Sequence, residues 1–68
     1  MAAENELRLI RERLGWTQEK MAERLGVKRV TVVRNEHRQN PPRPIILAAR
    51  YLHEHPEDQL EILKTEKR

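Results

Sequence analysis

Between Asn5 and Leu14 the apolar positions fall at Leu7, Ile10 and Leu14, with Arg8, Arg11, Glu12 and Arg13 among them. Recurrence at i, i+3 and i+7 predicts an amphipathic helix over about 5–14 with one buried stripe. Gly15 follows the last apolar position, where a left-handed residue ends a helix. Trp16 stands at that corner, and its large ring is expected in the core. Thr17 then offers a hydroxyl cap and Glu19 an acid in the first turn, which predicts a second helix over 17–25 with Met21, Ala22 and Leu25 inward. Gly26 stops it. A third helix, 28–36, is read from Val27 and Val32 with Val30 and Val33 flanking. Its β-branched residues lower helix propensity, so tertiary packing must hold it. The alternative is a strand from Val27 to Val33, but no other segment reads as a β partner.

Three prolines, Pro41, Pro42 and Pro44, forbid helix in the segment from Arg38 to Pro44 and predict a loop. Pro44 can itself open a fourth helix over 44–54, where its missing N–H is harmless. Ile45, Leu47, Ala48, Tyr51 and Leu52 mark that helix. Glu57 and Asp58 followed by Lys64, Lys67 and Arg68 complement a helix dipole, which predicts a fifth helix over 57–65. Its apolar residues are only Leu60, Ile62 and Leu63. The expectation is a single all-α domain over residues 1–68, compact, with four to five helices.

Composition narrows how such a domain holds together. A chain of 68 residues hides only about 60% of the surface it exposes when unfolded, so its core must be economical. It has no Cys, so neither disulfides nor thiolate zinc can staple it, a composition that fits a reducing cytosol. No apolar run reaches membrane-span length, and the start MAAENEL lacks a signal peptide's basic and apolar regions. A cytoplasmic location is expected.

The net charge is +3, and its distribution is more telling than its size. Between Lys28 and Arg43 five bases (Lys28, Arg29, Arg34, Arg38 and Arg43) meet one acid, Glu36. A local basic stretch attracts a polyanion; a solvated basic face is the competing account. Catalysis has little to work with. The chain has no Ser and no Cys, and its Thr residues have no base nearby in sequence. His53 and His55 fall on different helix faces, and no Gly-rich phosphate loop exists. Neither enzyme activity, metal, cofactor nor small-molecule substrate is expected.

Two short helices joined at a glycine have the shape of a helix-turn-helix. Ala22 is small where the next helix crosses, Gly26 permits the turn, and Val32 plugs the gap between the helices. The outward face of the second helix then carries Lys28, Arg29, Val30, Thr31, Val33, Arg34 and His37. Arg29 and Arg34 can each fork onto the O6 and N7 of a guanine, and exposed Val30 and Val33 suit thymine methyl groups. Val33 can equally pack inward. Lys28, Arg38 and Arg43 would add counterion release without reading sequence.

The run LRLIRERLGWTQEKMAERLGVKRVTVVRNE resembles the phage repressor and Cro-like family, also called the xenobiotic-response-element family, and the likeness covers about residues 6–52. Its members read approximately LRxLRxxxGLTQxxLAxxLGVSxxTVSRWExG before a proline-bearing loop and another helix. The resemblance implies a lambda repressor-like fold and sequence-specific binding of double-stranded DNA by a transcriptional regulator. It also implies that Gln18 anchors to a phosphate, that Lys28, Arg29, Val30 and Arg34 read base edges beside Thr31, and that Arg38 and Arg43 touch the DNA backbone. By the same likeness Arg11 and Glu36 form a partly buried ion pair.

The chain departs from the family at three positions. Asn35 replaces Trp or another apolar residue, which weakens local packing unless its amide finds a partner. Lys28 replaces a capping Ser or Thr. Arg38 replaces Gly, so the exit turn is expected to differ. A homodimer is expected through the segment from Pro44 onward, because Ile45, Ile46 and Leu47 cannot all face one way; covering by the last segment is the alternative. Repressor, antitoxin and phage regulator are all compatible with the likeness, and a protein-interaction module on the same fold is the rival function.

Overall fold

The first helix begins where one side chain satisfies its free amides. In a computed structural model, which describes residues 5–62, the buried Asn5 is the N-cap of α1 (Glu6–Leu14) and accepts from the Arg8 N–H. Three further helices follow: α2 (Gln18–Leu25), α3 (Arg29–Glu36) and α4 (Arg43–Glu54). Thr17 caps α2 by accepting from Lys20 N at 3.0 Å. Gly15 and Gly26 end α1 and α2 at φ 73° and 77°, the left-handed conformation a side chain resists. No strand occurs among the described residues, so the fold is all-α.

Packing pairs α2 with α3 and α1 with α4, and α1 also meets α3. Leu7, Met21, Leu25, Val32 and Leu52 are wholly buried at the centre, with Ile10, Ala22, Ile45, Ile46 and Ala49 around them. An exposed ion pair, Arg50 Nε to Glu6 at 2.7 Å, crosses from α4 to α1.

Three expectations need correction. Residues 57–61 are not helical: a turn at Pro56 and Glu57 leads into irregular chain, helix resumes only at Ile62, and positions 63–65 lie outside the described residues. The cause is tertiary. Leu60 N–H donates to Arg24 O at 2.8 Å and so leaves no room for an i→i−4 ladder there. Helix α4 begins at Arg43, with Pro44 inside its first turn, where a missing N–H is still harmless. Trp16 is not central but half-buried at the rim, packed against the core with Lys20 and Arg24 at 5.6 and 5.9 Å from its ring. That placement gives the ring cation contacts instead of full burial.

The irregular segment 57–62 lies across the end of α2. Arg24 Nη1 donates to the Glu57 and Asp58 carbonyls at 3.2 and 3.3 Å. The Gln59 amide donates to Glu23 O, and Leu60 and Ile62 pack against the core. On the α4 side the Tyr51 hydroxyl donates to the Asp58 carboxylate, and that bond holds the phenol pKa above its usual value.

Candidate nucleic-acid interface

Helix α3 is short and divided by function along its faces. Val32, Asn35 and Glu36 are buried, the i, i+3, i+4 pattern of an inward stripe. Arg29, Val30, Arg34 and His37 are exposed, with Val33 half-buried between them. Val30, Val33, Arg34 and His37 therefore run down one outward side. Val30 is 49% exposed, an apolar side chain left in water at a cost unless something covers it.

Lys28 holds the N-cap position without a side-chain bond, and with Arg29 it is exposed at the start of the helix. Thr31 is half-buried. Arg38 and Arg43 are exposed on the following loop and at the start of α4. Among the described residues, Lys28, Arg29, Arg34 and Arg43 make no ion pair. Their charge is uncompensated locally and available to an anion. The His37 ring meets Val33 O at 2.8 Å. A carbonyl only accepts, so Nδ1 carries the proton and Nε2 is left for solvent or a ligand.

The base of this surface is a polar hub. Arg11 Nε and Nη2 donate to the two Glu36 oxygens at 2.6 and 3.2 Å, and Arg11 Nη1 donates to Trp16 O at 2.8 Å. The Glu36 side chain is 3% exposed and that of Arg11 15%. Gln18 at the start of α2 also belongs to the hub, because its Nε2 donates to Glu36 Oε1 at 3.1 Å. One carboxylate thereby ties α1, the start of α2 and the end of α3 together.

Asn35 finds the partners its burial demands. Its amide donates to Thr31 O at 2.9 Å, and its Oδ1 accepts from Arg38 Nη1 at 3.3 Å. No buried polar side-chain atom among the described residues lacks a partner, so Asn35 leaves no uncompensated amide in the core. The exit turn after α3 needs no left-handed residue: His37 closes the helix at φ −97°, ψ −3°, and no non-glycine residue among those described has a positive φ, so Arg38 is accommodated without strain. Asn5 holds this turn from the far side, its Nδ2 donating to Asn35 O at 3.0 Å and Arg38 O at 2.8 Å. Sequence reading assigned Asn5 no such role; a polar residue just before a helix announces a cap but not a second, long-range bond.

A helix pair turned at glycine, with a basic second helix facing outward over a sealed core, defines a helix-turn-helix domain. A family model described as a helix-turn-helix domain matches residues 5–61, and the chain belongs to that DNA-binding family. No curated protein and no solved structure matches it. No helix among the described residues is long and apolar enough to cross a membrane.

Proposed function

We propose that this chain is a cytoplasmic transcriptional regulator of the phage repressor and Cro-like type, repressor or antitoxin, that reads operator DNA by placing α3 in the major groove. The observation that carries the proposal is the outward stripe of α3. Val30, Val33, Arg34 and His37 share it, Arg29 is exposed beside it, and Lys28, Arg38 and Arg43 are three more exposed bases around it. None of these bases makes an ion pair among the described residues. Guanine edges take the arginines and thymine methyls the valines. Lys28, Arg38 and Arg43 supply phosphate contacts, and Thr31 and His37 flank them. Gln18 gives one amide hydrogen to Glu36 and keeps the second for a phosphate oxygen. Neither enzymatic chemistry nor a cofactor enters this reading.

Arg29→Ala and Arg34→Ala are each expected to weaken binding to a selected duplex by about 1–3 kcal/mol while sparing random duplex. Anisotropy titrations on both duplexes measure it. Equal losses on both would make these arginines phosphate contacts and overturn their assignment to base edges.

The functional unit in this proposal is a homodimer, with one α3 in each of two successive major grooves about 34–36 Å apart. The support lies on α4. Ile45 and Ile46 turn inward, whereas Leu47 and Tyr51 are 49% and 43% exposed one helical turn apart. Sedimentation across micromolar concentrations, with and without a duplex carrying two half-sites, is expected to show two chains bound together. A monomer that loads onto one half-site with undiminished affinity would remove the dimer from the proposal.

A further inference from the structure

The turn between α2 and α3 places the recognition helix, yet its pivot is Gly26, the residue type with the greatest backbone freedom. Left to itself, such a joint lets α3 swing. Here it does not stand alone. The backbone of residues 60–62 runs directly over it: a Cβ built on Gly26 would sit 2.5 Å from Leu60 O, 2.6 Å from Glu61 Cα and 3.0 Å from Ile62 N. Only glycine admits backbone this close, and residues 60–62 in turn fill the space beside the joint.

The contact is fastened by reciprocal bonds. The last carbonyls of α2 have no partners within the helix. Gly26 and Val27 N–H groups take Ala22 O. The Gln59 amide takes Glu23 O, and Leu60 N–H takes Arg24 O at 2.8 Å. Arg24 answers with its guanidinium on the Glu57 and Asp58 carbonyls. The segment 57–62 is thus a strap, bonded to the end of α2 through residues 57–60 and lying over the pivot with residues 60–62.

We propose that Arg24 and Gln59 are positioning residues for DNA reading, acting through this strap to fix the angle at which α3 leaves α2. The inference rests on the proposed DNA reading. Base contacts require side chains held within about 0.5 Å and 10–20° of productive geometry. Phosphate contacts need charge nearby and tolerate a looser helix. Loosening the strap therefore lowers specific binding and leaves non-specific binding in place, a split that simple loss of stability does not produce.

The experiment uses the whole chain, a duplex recovered by selection from a random pool, and a random-sequence duplex of equal length. Arg24→Ala, Arg24→Lys and Gln59→Ala are compared with the parent well below their melting temperatures, which are measured separately. Arg24→Ala and Gln59→Ala are expected to lose about tenfold on the selected duplex, the scale of one mismatched base pair, and less than about twofold on the random one. Arg24→Lys keeps a donor for the two carbonyls and is expected to recover most of the loss. Gln59 is exposed, so Gln59→Ala leaves the core intact and decides the matter even if Arg24→Ala fails to fold. Equal losses on both duplexes, or none on either, overturn the positioning role. A parent chain that binds neither duplex overturns instead the DNA reading beneath it.

Discussion

Gly26→Ala is expected to destabilise the domain by at least about 3 kcal/mol, a size that backbone strain combined with overpacking reaches. The control is the other helix-ending glycine. Gly15 has nearly the same backbone, φ 73° against 77°, but a Cβ built on it meets nothing within 4 Å. Gly15→Ala therefore carries the left-handed penalty alone, about 1–2 kcal/mol. Gly26→Ala adds a collision with the backbone of residues 60–62, and backbone cannot step aside as the tip of a flexible side chain does. Urea unfolding of both variants measures the difference. Equal costs would mean that the strap yields freely and that the turn geometry alone requires glycine at Gly26. If the variant relieves the collision by releasing the strap, its stability loss should be accompanied by the loss of specific DNA binding argued above for Gln59→Ala.

The contrast between these glycines also shows what the chain states locally and what it does not. Both could be recognised as helix stops because a left-handed stop is decided by a few neighbouring residues. The strap over Gly26 is a contact between residues more than thirty positions apart, and no periodicity announces it. The same division runs through the rest of the molecule. The outward side of α3 was legible once Val32 was taken as the plug between the two helices, because the helical period then carries Val30, Arg34 and His37 away from it. The Arg11–Glu36 contact was legible only by likeness to a family, since nothing in spacing joins those positions. Asn35 read as a defect, because the partners that satisfy it, Thr31 O and Arg38, depend on how the chain leaves α3. Glu57 and Asp58 imitated a helix start with correct charges. Their carbonyls accept from Arg24 and the Leu60 N–H donates to Arg24 O, long-range bonds that set the backbone where dipole complementarity supplies only a few tenths of a kcal/mol to about 1 kcal/mol.

Breaking the Arg11–Glu36 pair is expected to cost about 3–5 kcal/mol when either partner is removed alone, whereas an exposed pair is worth about 0–1 kcal/mol. The molecule contains its own comparison. Arg8 and Glu12 approach to 3.0 Å, close to the 2.6 Å of Arg11 and Glu36, but the first pair is 62% and 50% exposed and the second 15% and 3%. Distance hardly separates them; burial does. Without Arg11, Glu36 keeps, among the described residues, only the Gln18 amide as side-chain partner, and a carboxylate so placed must be desolvated with most of its compensation gone. Without Glu36, Arg11 keeps Trp16 O but loses both carboxylate bonds, and Gln18 loses the acceptor that ties α2 to α3. Removing both partners with apolar residues of similar size, as in Arg11→Met with Glu36→Leu, is expected to cost less than the sum of the single changes, with a coupling of about 2 kcal/mol. The parallel cycle on Arg8 and Glu12 should give no more than about 0.5 kcal/mol. Thermal unfolding of the two cycles decides the matter: couplings of equal size would show that the Glu36 hub is solvated in solution and that the end of α3 is held by packing instead.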